Sequence, residues 1–148
     1  MRLKIWTATS ALLLCALPGL SQARDTTHYL PFEKVVQQMT AEKKLDGSVK
    51  FYLAGVQPRG KVNVISPGAA TNKKTNAFNK TDEAACEWAL QSALLTMQDA
   101  AKKVGANAVT NIVSNYKRVE RKDASTYECH AGAVMAGVAI KGDLSKVD

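Results

Sequence analysis

Two cysteines, Cys86 and Cys129, are the side chains in the body of this chain best suited to covalent chemistry, and Glu128 and His130 flank the second. Two chemistries suit such a set. Paired thiols in an oxidising compartment form a disulfide. Thiolates joined by an imidazole and a carboxylate can hold a transition metal. The spacing favours the disulfide. No C-x-x-C or H-x-x-H pair is present. On a strand, Cys129 and His130 would point to opposite faces and could not share one ion. Metal binding or redox response through Cys86 and Cys129 stands as the alternative.

Other motifs carry less. Gly55 to Lys61 matches the start of a phosphate-binding loop, G-x-x-x-x-G-K. Val62 stands where Ser or Thr should hold magnesium, and Pro58 removes one backbone N–H. The residues that follow read as a strand, whereas phosphate needs a helix N-terminus behind the loop. Asn79-Lys80-Thr81 is a formal glycosylation sequon. No G-x-S-x-G occurs, and His28 and His130 are the only histidines. No catalytic, cofactor-binding or metal-ligating set is nominated, so the chain reads as a non-enzymatic protein.

Which cysteine chemistry applies depends on the compartment. The first residues carry Arg2 and Lys4, residues 10–20 are apolar, and Ser21-Gln22-Ala23 offers small residues at the −3 and −1 positions of a cut. That layout is a secretory signal peptide, residues 1–23, cleaved between Ala23 and Arg24. The apolar run is far short of the roughly 20 residues of a membrane span. Cys15 lies inside that run behind Leu14, which excludes lipidation there. Cleavage leaves 125 residues, enough for one compact domain. It also removes two basic residues and no acid, taking the formal charge from +7 to +5. The lysines and arginines are scattered and form no basic tail. Nucleic acid is not an expected partner outside the cytoplasm. The expected partner is an envelope protein or a small ligand, and an anionic envelope surface suits the charge. The protein is expected in the periplasm or secreted, with no transmembrane span after cleavage.

The elements that must position these residues follow from periodicity. Residues 24–29 are polar and read as a mobile arm. Phe32, Val35, Val36 and Met39 mark one face of a short helix within residues 31–45. Residues 48–55 and 61–66 alternate as strands, with a hairpin expected between them. Residues 69–80 are polar and aperiodic, and read as an exposed loop. Residues 81–104 form the strongest element: Cys86, Leu90, Ala93, Leu94, Met97, Ala101 and Val104 make an apolar stripe, with Glu87, Gln91, Gln98 and Lys102 opposite. Thr81 or Asp82 caps its start and Gly105 its end. Residues 106–116 are β-rich, 117–125 read as a charged hairpin end, and 126–140 as one long strand rich in Ala and Gly.

The expected fold is α+β: a β-β-α-β-β sandwich with an antiparallel-rich sheet, one long helix packed on it, and a short N-terminal helix. Residues 24–46 form the arm with that short helix and 47–148 a single domain. Cys86 lies on the buried face of the long helix and Cys129 early in the last strand, which should pass beneath it. An even cysteine count after export then predicts a Cys86–Cys129 bridge closing a span of 43 residues.

Three stretches, LDGSVKFYLAG, TNKKTNAFNKTDEAACEWAL, and GANAVTNIVSNYK with YECHAGAVMAGVAIKGDL, resemble a family of small exported proteobacterial proteins that go under the name "excinuclease ATPase subunit". The resemblance covers nearly all of the chain after the leader. The name implies ATP-dependent DNA repair, which the export signal and the failed phosphate loop contradict. The resemblance brings no established activity. A more distant likeness, in the run from Gly105 to Val109 after the long helix, is to the YbjQ-like fold and the Rcs envelope-stress sensor lipoprotein. In that sensor a disulfide joins the region before the helix to the last strand, and the resemblance implies one between Cys86 and Cys129, which occupy similar places. This chain lacks that sensor's second cysteine pair and its lipid-attachment cysteine. Some proteins of this fold are described as binding heavy metals.

Overall fold

The structure, a computed structural model, describes residues 24–148. The expected leader, its expected cleavage point after Ala23, and Cys15 lie outside the described residues. Nine elements follow in order: β1 (Thr26–Pro31), α1 (Phe32–Ala41), β2 (Lys50–Leu53), β3 (Val62–Asn76), α2 (Asp82–Lys103), β4 (Ala108–Tyr116), β5 (Val119–Arg121), β6 (Thr126–Ala131) and β7 (Met135–Val147). They make an α+β fold with one mixed seven-stranded sheet and two helices.

The long helix forms where its local signals place it. The Thr81 hydroxyl accepts a bond from the Ala84 N–H at 3.1 Å, satisfying one of the free donors of the first turn. Asp82 and Glu83 sit at the positive end of the dipole, and Lys102 and Lys103 at the negative end. Gly105 follows with φ +74°, a left-handed conformation that glycine adopts without strain. The inner face of α2 carries Ala85, Ala89 and Ala93, all fully buried. Ala131 and Ala136 are buried on the strands. Small side chains on both layers let helix and sheet approach closely.

Strand β7 is the spine of the sheet. Along one edge it pairs antiparallel with β3, from Val62↔Val147 to Asn76↔Met135. Along the other it pairs first with β6 and then with β4. Strand β1 lies outside β6, and β2 and β5 lie outside β4.

Several local expectations are corrected. Of the polar arm, Thr26–Pro31 is an edge strand, paired with β6 from Thr26↔Ala131 to Pro31↔Thr126. The stretch read as an exposed loop continues β3 as far as Asn76. As an edge strand it is stabilised by backbone bonds to β7 and buries little, so it shows no apolar period. The expected hairpin of residues 48–66 does not form: β2 pairs parallel with β4, and β3 pairs with β7. Turn residues reverse or bend the chain but do not choose a strand's partner. The single strand of residues 126–140 is two, β6 and β7, joined by a turn in which the Gly132 N–H donates to the Met135 carbonyl at 2.8 Å.

On α2, Gln91 and Gln98 are buried, while Leu95 and Val104 are exposed. The reason is a second layer. Helix α1 and the segment after it lie against that side of α2, where the Lys44 ammonium donates to Gln91 Oε1 at 3.3 Å and the Asp46 N–H to Gln98 Oε1 at 3.4 Å.

Tyr127 is fully buried under α2, and its hydroxyl has no hydrogen-bond partner. Burial, with Glu87 and Glu83 nearby, pushes the phenol well above its ordinary pKa. An unsatisfied buried hydroxyl costs about 1–3 kcal/mol. Tyr127→Phe should therefore leave the melting temperature unchanged or raise it. A loss exceeding about 1 kcal/mol in chemical denaturation would reveal a partner for the hydroxyl.

Candidate binding cleft

The alternation of β6 sorts its side chains. Tyr127, Cys129 and Ala131 point toward α2, and Glu128 and His130 face the other way. Cys129 is bonded to Cys86, with 5.8 Å between their Cα atoms, and both residues are fully buried. Glu128, Cys129, His130 and Cys86 therefore do not converge. Among the described residues no group of three His, Cys, Asp or Glu side chains surrounds a cation position.

The His130 side chain is only 13% exposed. Its Nε2–H donates to Glu128 Oε1 at 2.6 Å. Its Nδ1 faces the Thr27 hydroxyl at 3.3 Å and Asp25 Oδ1 at 3.5 Å. The ring stacks on Tyr116 with centroids 3.4 Å apart, and the Lys117 ammonium lies 5.2 Å from the Tyr116 centroid. Ser114 explains the position of Tyr116. Its hydroxyl accepts from the Glu128 N–H at 3.0 Å, which pins the end of β4 against β6.

Beside this stack opens a cleft of about 440 Å³, walled by Tyr116, His130, Lys74, Val134 and Met135, with Gly137 among its lining residues. A second hollow of about 380 Å³ is bounded by Ala139, Asn72, Asn115 and the Lys117-Arg118 turn. Lys117 and Arg118 have φ +51° and +63°. They form a two-residue hairpin between Tyr116 and Val119, a geometry that Asn-Gly normally adopts. Holding two long cationic residues there costs backbone strain.

Arg24 closes one end of the cleft. Its guanidinium makes two bonds to Asp82, at 2.7 and 2.9 Å, and one to the Gly132 carbonyl at 2.8 Å. His28, expected in a mobile arm, lies 2.9 Å from the same carboxylate through Nε2. Arg24 first, and His28 after it, hold the Asp82 carboxyl down at about 2. A carboxyl depressed in the folded state contributes stability above its ordinary pKa of about 3.9 and loses it as pH falls through the folded value. Asp82→Asn should therefore lower the melting temperature at pH 7. The gap to the wild type should shrink from about pH 4 downward and close near pH 2. Thermal melts across that range check this; a gap independent of pH would show that the clasp is not ionic.

The larger hollow, about 610 Å³, lies between α1 and β2, against Val36, Leu45, Phe51 and Val56. Among the described residues, none of its polar side chains Glu33, Gln37, Lys50 and Tyr52 is held by another side chain. The smaller cleft instead gathers a pre-organised polar set against an apolar wall, the usual composition of a ligand site. The phosphate-loop lookalike, Gly55 to Lys61, connects β2 to β3, with no helix behind it. Gly60 has φ +109°, and a Cβ there would collide with the Asp148 carbonyl oxygen, so its glycine serves chain packing.

Comparison with known protein families, with curated proteins and with solved structures finds no match. The sequence pattern does not outline the cleft. Lys74 lies in the polar stretch that reads as a loop, and Val134 and Met135 lie in the Ala- and Gly-rich run that reads as one strand. Of the cleft walls, His130 is the residue that the sequence singles out, as a neighbour of Cys129; the charged run at Lys117-Arg118 borders the second hollow.

Proposed function

We propose that the protein is a non-enzymatic binding module of the cell envelope, working in the periplasm or outside the cell, and that the cleft beside Tyr116 and His130 takes its ligand. The observation that carries this reading is the cleft: an apolar wall of Val134 and Met135 faces a braced polar end at Tyr116 and His130, with the Lys74 side chain beside it. Both His130 ring nitrogens are engaged within the protein, so the imidazole acts as a wall and not as a free base. The buried Cys86–Cys129 bond supports an oxidising compartment, in keeping with the leader expected from the sequence.

Gly137 supplies the test. A Cβ added there meets only Lys74 Cγ at 3.5 Å and the Lys73 carbonyl at 3.6 Å, ordinary contacts. Gly137→Leu should fill the cleft and leave the fold intact. Envelope small molecules screened by amide chemical-shift mapping should move Tyr116 and residues 132–137 in the wild type and leave Gly137→Leu unmoved. Shifts confined to the Val36–Val56 groove in both proteins would relocate the site and sink the proposal.

A further inference from the structure

At one end of the sheet, two segments far apart in sequence join to form an apolar cap. The Ala77 N–H donates to the Val134 carbonyl at 2.7 Å, and Asn76 pairs with Met135. This places Phe78, 65% exposed, beside Val134 at 60% and Met135 at 46%. The other exposed rings each face a cation: Tyr29 carries the Arg121 guanidinium at 4.0 Å and Trp88 the Lys44 ammonium at 5.5 Å. Among the described residues, the Phe78 ring carries no such cation.

Two lysines stand at this end without an acidic partner among the described residues. Lys74 borders the cleft with Val134 and Met135, and the Lys80 ammonium donates to the Asn76 carbonyl at 2.9 Å. Among the described residues neither lysine is in a salt bridge. Of the acids nearby, Asp82 is neutralised by Arg24 and faced by His28, and Glu83 is bonded to Lys34. Asp25 lies toward His130. An apolar tip beside unpaired lysines is complementary to an anionic bilayer surface. There the apolar side chains enter the acyl boundary while ammonium groups meet phosphates.

We propose that this cap docks the protein peripherally on an anionic lipid surface through Phe78, Val134 and Met135, with Lys74 and Lys80 facing the headgroups. No helix among the described residues is long and apolar enough to cross a membrane, so the contact is interfacial. The proposal rests on the envelope reading above, and it places the mouth of the cleft at the membrane.

Co-sedimentation of the purified protein with vesicles tests it. The protein should bind vesicles of phosphatidylglycerol and phosphatidylethanolamine, weakly bind vesicles of phosphatidylcholine, and release as salt rises. Phe78→Ser with Val134→Ser should weaken binding by at least roughly tenfold at an unchanged melting temperature. Lys74→Glu and Lys80→Glu should each cost roughly fivefold on the anionic vesicles alone. Gly137→Leu fills the cleft but leaves the cap, and should bind vesicles as the wild type does. Retained vesicle binding without any cleft ligand would count against the ligand reading and leave this one standing. Equal binding to both vesicle types, or binding unaffected by the Phe78 and Val134 changes, would overturn the docking. So would loss of binding in Gly137→Leu, which would make a single lipid in the cleft the occupant.

Discussion

Cys86→Ser and Cys129→Ser should each destabilise the protein by about 4 kcal/mol, with the double variant no less stable than either single one. The bond closes a separation of 43 residues, and in the chain-entropy treatment a loop of that size accounts for roughly that amount. It joins the second turn of α2 to the middle of β6, so breaking it frees the helix start from the sheet. Against a typical stability of about 5–15 kcal/mol the loss is large. Denaturant melts of the three variants, beside the reduced wild type, measure it. Additive losses would mean that each cysteine acts alone, and two free thiols in unreduced native material would sink the bridge. Reduction also separates a structural bond from a redox-responsive one. Both sulfurs are fully buried, so a reductant should act only as the domain opens. Rapid reduction of the folded protein would favour the redox-responsive reading of Cys86 and Cys129.

Leu94→Asp should prevent folding, while Leu95→Asp, one residue along, should change stability by less than about 1 kcal/mol. Leu94 is 0% exposed in the core cluster between α2 and the sheet, and Leu95 is 38% exposed. An ionised carboxylate at position 94 would have no partner there, a cost of several kcal/mol that rivals the whole stability of a small domain. Gln91, on the side of α2 opposite the apolar stripe, would be the control suggested by helical periodicity. It is the wrong one, because the layer formed by α1 and the segment after it buries that side too. Soluble yield and far-ultraviolet circular dichroism distinguish the outcomes. If both aspartates behave alike, the buried face of α2 is not the one described.

What the residues determine by themselves is local. Helix α2 falls within one residue of each end read from its caps and stripe, since Thr81, Asp82, the terminal lysines and Gly105 act on the nearest turn of backbone. The α+β class and the pairing of two cysteines follow from the same short-range patterns and from an even count.

The sheet order is decided elsewhere. Which strand β2, β3 or β1 joins depends on backbone hydrogen bonds, which carry no residue identity, and on a global competition among edges. The parallel β2–β4 pair and the long β3 edge strand therefore leave no local trace. The cleft is a consequence of that order. Arg24, Lys74, Tyr116, His130 and Met135 meet only because β1 lies on β6, β3 lies on β7, and the end of β4 is pinned across β6. Their spacing in the chain is arbitrary. Tertiary strand pairing, not side-chain pattern, brings them to one wall.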